Sequence, residues 1–129
     1  MSRYRPVLTR IWYDERFRVL PADVQRLFLY HLTSPHSTSF LLYIEGPGGI
    51  GDALRMPSAR LREGMIRLAA DGMVRYSSEG EHFIFLPKAL LLAENAPQSP
   101  NAVKSWVSTF TDLPKTAFRD ACLEHWRCL

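Results

Sequence analysis

The sequence predicts an α+β fold, a winged helix-turn-helix with additional C-terminal helices. Three observations carry that prediction. "LPADVQRLFLYHLTSP" has helical periodicity and is followed by a short apolar strand; two short helices meet at the tight turn Met56-Pro57; and two β-rich runs flank the glycine-containing "SSEGE". Helix, strand, helix, turn, helix and hairpin, in that order, make up the winged arrangement.

At 129 residues the chain suits one domain with one buried core, here about 20–90, with C-terminal helices at about 100–128. Nearly half the residues are apolar, as in globular chains. Net charge is +3, and arginine supplies 13 of the 16 basic residues. Its planar fork suits phosphate oxygens and base edges. No apolar run is long enough to span a bilayer, and the opening "MSRYRPVLTRIWYDERF" has no signal-peptide core, so a cytoplasmic protein without membrane contact is expected. Cys122 and Cys128 stand outside any C-x-x-C spacing and read as free thiols.

Element by element, "RPVLTRIWYDERFRVL" reads as a short extended segment and an irregular turn, with Trp12 and Phe17 packed on the core. In the first helix Val24, Leu27, Phe28 and Leu32 share a face, and Pro35 stops it. "FLLYIEG" is β-rich and cut off by glycine and proline, a strand. "PGGIGDALRMP" gives a short helix from Ile50 to Arg55, its glycines forming the preceding turn. Ser58 is placed to cap the next helix, where Leu61, Gly64, Met65, Leu68 and Ala69 fall on one face; Gly72 ends it. "MVRYSSEGEHFIFLP" is the hairpin and "KALLLAEN" a short helix. Val103, Trp106, Val107 and Phe110 mark another helix, and Phe118, Cys122 and Trp126 the last.

That order lets the second helix of the turn enter a major groove while the hairpin follows the backbone, so double-stranded DNA is the expected partner. Ser58, Arg60, Arg62 and Arg67 lie on the exposed side of that helix, and arginine pairs bidentately with guanine. The bland alternative is a solvated face with Arg67 paired to Glu63. In the hairpin, Arg75, Ser77, Ser78 and His82 could meet phosphate or sugar, opposed by Glu79 and Glu81. Arg3 and Arg5 form a basic arm of the kind that enters a minor groove, or else a disordered end.

"TRIWYDERFRVLPADVQRLFLYHLTSPHSTSF", "GGIGDALRMPSARLREGMIRLAADGMVRY", "FIFLPKAL" and "NAPQSPNAVKSWVSTFTDLP" together resemble the N-terminal winged-helix domain of phage replication initiators, or replisome organisers, from about Tyr4 to Pro114. The resemblance implies binding of origin DNA, with a further C-terminal region handling the replicative helicase. This chain ends soon after "DLP", which implies a fragment or a stand-alone relative.

Catalysis finds little support in the residues, and no cofactor is expected. "GPGGIG" lacks the lysine and spacing of a phosphate-cradling loop. His31 and His36 read as a helix-face and a loop residue. Cys122, His125 and Cys128 do not share one helix face and lack a fourth ligand, so core packing explains Cys122 better than zinc. Two rivals to an origin binder remain: a transcriptional regulator on the same fold, and an interaction module docking a helicase or other replication factor, marked by an apolar or acidic surface where a basic one is expected. Any apolar stripe left exposed on the C-terminal helices would suit a homodimer.

Overall fold

The computed structural model describes residues 5–38, 40–78, 80–87 and 100–123. The chain is α+β. A 3₁₀ turn (Thr9–Tyr13) and helix α1 (Glu15–Arg18) lead into α2 (Ala22–Thr33), strand β1 (Leu42–Ile44), α3 (Pro47–Leu54), α4 (Ser58–Ala70), the hairpin β2 (Arg75–Ser77) and β3 (Phe83–Phe85), then α5 (Pro100–Asp112) and α6 (Ala117–Ala121). The expected helix at "KALLLAEN", together with Arg3, Glu79, His125, Trp126 and Cys128, lies outside the described residues.

The opening segment departs from the expected extended run. Asp14 caps α1, its carboxylate accepting from the backbone N–H groups of Arg16 at 2.9 Å and Phe17 at 3.4 Å. This local bond outweighs the β-preference of the surrounding aromatic and branched residues. Phe17 is fully buried, but Trp12 packs edge-on against it while remaining 58% exposed.

Helix α3 begins three residues earlier than expected. Pro47 occupies its first turn, where a missing N–H costs nothing, and Gly48, Gly49 and Gly51 are helical rather than part of a turn. Burial of Ile50 and Leu54 offsets the poor helix propensity of those glycines. Ser58 does not cap α4. Pro57 holds that position in an extended conformation, its carbonyl accepting from Leu61 N–H at 3.0 Å, so Ser58 is already the first helical residue. Gly72 at φ +72° follows the helix as expected.

The three strands form one antiparallel sheet in the order β1-β3-β2, with Tyr43 opposite Ile84 and Ile84 opposite Tyr76. Its two faces feed different cores. Tyr43, Ile84 and Tyr76 pack with α2, α3 and α4; Leu42, Phe83 and Phe85 pack with Phe40, Phe110 and Cys122 beside α5 and α6. Val103 and Val107 stay 48% and 57% exposed, so only part of the α5 stripe is core. Helix α4 packs tightly on α2 at Gly64, where an added Cβ would stand 2.9 Å from Leu27 Cδ2.

His31 links the helices to the sheet. It is fully buried, with Nδ1 2.8 Å from the Tyr43 hydroxyl and Nε2 2.8 Å from the Tyr76 hydroxyl. A neutral imidazole offers one donor and one acceptor, so one tyrosine donates to the ring and the other accepts from it. Burial lowers the His31 pKa to about 3. The unfolded chain therefore takes up a proton there below about pH 6.5, whereas the folded one does not, and stability falls with pH across that window. By pH 5 this site alone should cost about 2 kcal/mol relative to pH 7. Urea unfolding at the two pH values should show that loss in the wild type, and His31→Gln should be less stable at pH 7 but lack this component of the slope.

Candidate nucleic-acid interface

Helix α4 buries Leu61, Gly64 and Leu68 against α2 and leaves the remaining surface open. With 100° between successive residues, its arginines do not form a single row. Arg60 and Arg67 lie along the edge facing α2. Ser58, Arg62 and Ile66 lie along the opposite edge, facing α3 and the hairpin, and the crest between them carries Ala59, Glu63 and Ala70.

The edge facing α2 is neutralised within the chain. Arg60 bonds Asp23 of α2 and reaches Glu63 at 2.5 Å. The hydrogen bond and charge of Asp23, followed by the charge of Glu63, raise the Arg60 pKa, so this guanidinium is charged and already occupied. Arg67 pairs with Asp71 at 2.9 Å rather than with Glu63, which is held by Arg60.

The opposite edge is different. Arg62 and Arg55 make no ion pair or side-chain hydrogen bond among the described residues. Arg55 closes α3 in the left-handed conformation, φ 52° and ψ 48°, with its N–H bonded back to Asp52 and Gly51. Both arginines border a groove of about 760 Å³ between α3, α4 and β2. Its walls include Pro47, Met56, Leu61, Met65, Ile66 and Tyr76, and its rim also carries Asp52 and Ser58. A smaller hollow of about 280 Å³ adjoins it across Pro47, Met65 and Tyr76 and is bordered by Ser77, Ser78 and His82.

The structure separates Arg75 from this group. It stands opposite Phe85 in the sheet, so its side chain leaves on the α5–α6 face. There its charge opposes the burial that pushes the Cys122 thiol up to about 12. Arg5 is also apart: its Nη2 donates to the Thr38 carbonyl at 2.8 Å, and partial burial lowers its pKa. It tethers the start of the chain to the loop before β1. Of the expected site residues, Ser58 and Arg62 thus border the larger groove, and Ser77 and Ser78 border the smaller hollow beside it; Ser77, opposite Phe83, shares the sheet face of Arg75, and Arg60 and Arg67 lie on the far edge of α4.

Sequence reading missed several contributors. Arg55 stands in the turn between two helices, and "LRMP" is the signal that could have exposed it. Arg26 donates to the Leu54 carbonyl and closes the end of α3, which fixes the groove wall. Glu45 is a buried carboxylate that accepts from Tyr30 at 2.7 and 2.9 Å and from Ser34 at 3.3 Å, with His36 at 3.6 Å. Burial, then the bond to Glu45, pushes the Tyr30 hydroxyl up to about 12. This cluster anchors the loop between α2 and β1 to the start of α3. No helix among the described residues is long and apolar enough to cross a membrane.

Comparison with protein-family models, curated protein sequences and solved structures found no match to this chain. The site must therefore be read from its own geometry. Arg5→Ala should lower thermal stability by about 1 kcal/mol, through loss of a partly buried charged hydrogen bond. The exposed Arg62→Ala should stay within about 0.5 kcal/mol of the wild type. Thermal unfolding of the two variants side by side checks this contrast.

Proposed function

We propose that the chain is a winged-helix domain that binds double-stranded DNA, with α4 as the recognition helix and the β2–β3 hairpin as the wing. The element order and the β1-β3-β2 sheet support this reading, since they leave α4 exposed beside the hairpin. The observation that carries it is that Arg55 and Arg62, beside the α4 edge nearest the wing, make no ion pair or side-chain hydrogen bond among the described residues. Arg62 faces base edges or phosphate, and Ser58 and Ser78 supply neutral donors. The resemblance to replication-initiator domains makes repeats within a replication origin the first target to test. The exposed Val103 and Val107 give α5 an apolar edge that suits a second copy, as paired half-sites would require.

Fluorescence anisotropy with a labelled random-sequence duplex, repeated over a salt series, tests the reading. Binding should weaken steeply with salt, and Arg62→Ala with Arg55→Gly should reduce the logarithmic salt slope by about 0.9 for each phosphate no longer neutralised. Arg75→Ala should leave affinity unchanged, because its side chain leaves the opposite sheet face. Asp23→Ala should strengthen binding by removing a negative charge from the α2 edge and one of the two acidic partners of Arg60. Absence of binding at low salt would overturn the proposal and turn attention to a protein partner.

A further inference from the structure

The groove between α3 and α4 has a character that contact with a phosphate backbone does not require. Leu61, Met65 and Met56 line it, and Ile66 is 62% exposed beside them, an apolar side chain left in water. Gly48 and Gly51 place no side chain on the α3 wall; a Cβ at Gly48 would meet nothing within 4 Å. Tyr76 is held in position by His31, so part of the wall is fixed before anything binds. At about 760 Å³ the space falls in the range of roughly 300–1,000 Å³ typical of small-molecule sites.

From this combination we infer that the groove binds a small apolar anion, an aromatic or branched aliphatic carboxylate, with its hydrocarbon body on Leu61, Met65 and Ile66 and its acid group at Arg55 and Arg62. Guanidinium forks match a carboxylate through paired hydrogen bonds, and neither arginine has to give up a partner among the described residues to do so. Asp52 on the same rim leaves one net positive charge, which fits a ligand with a single acid group. The unbranched methionine side chains adapt to different hydrocarbon shapes. The site stands on the groove itself; its consequence, that such a ligand competes with DNA for Arg62, rests on the reading above.

Methyl NMR of the full chain labelled at methionine tests the inference, with 2-naphthoate as probe and 2-naphthamide as its uncharged counterpart. Met56 and Met65 lie in the groove, and Met73, in the core at 4% exposure, reports on the fold. Naphthoate should shift Met56 and Met65 saturably and leave Met73 in place. The amide should bind about tenfold more weakly, as should naphthoate to the Arg55→Gly/Arg62→Ala protein, whose unchanged Met73 signal confirms folding. Absence of a saturable shift, equal affinity for acid and amide, or indifference to the double substitution would each overturn the site. Displacement of labelled duplex by naphthoate should follow at the same concentrations. A methyl shift without displacement of bound duplex would overturn the competition and keep the site; failure of the duplex to bind at all would count against the DNA reading alone.

Discussion

A neutral imidazole between two tyrosines holds the helices and the sheet of this protein in one arrangement. His31 comes from α2, Tyr43 from β1 and Tyr76 from β2, so one ring fixes a helix against both outer strands of the sheet. In a core otherwise built largely from aliphatic side chains and phenylalanine, many packings would bury similar area. A buried polar group tolerates far fewer, because an unmet bond costs on the order of 1–3 kcal/mol. The groove depends on this arrangement: Tyr76 lines it, and the position of β2 sets its width on the hairpin side.

Charge is distributed around α4 with a similar economy. Asp23 of α2, Glu63 of α4 and Asp71 just after it take up Arg60 and Arg67, and what remains toward the hairpin is a short basic border around an apolar concavity. A net charge of +3 thus says little about where a polyanion would sit. The pairs on the α2 edge are exposed and contribute little to stability, but they set the direction of the local field.

Local signals made much of the fold legible. The periodicity of α2, the junction between α3 and α4 at Met56-Pro57, the end of α4 before Gly72 and the hairpin all follow from residues close in sequence. Where the reading failed, the deciding contact was either a competing local bond or a distant one. Asp14 turned a β-prone run into helix, and buried Ile50 and Leu54 drew a glycine-rich stretch into α3. The division of the arginine row depends on Asp23, which is 37 positions from Arg60 and becomes a neighbour only when α2 packs on α4. The placement of Arg75 follows from which sheet face α5 and α6 cover, and no short stretch of sequence encodes that.

Arg55 shows where durability and use diverge in this chain. A left-handed residue at the end of a helix is ordinarily glycine, and a side chain there is disfavoured by roughly 1–2 kcal/mol. Selection for robustness alone would favour the smaller residue, since the turn itself asks for nothing more. A lineage that kept arginine at this corner would be retaining it for what the guanidinium meets outside the domain, and a homologue with glycine there would have a tighter fold and a quieter surface.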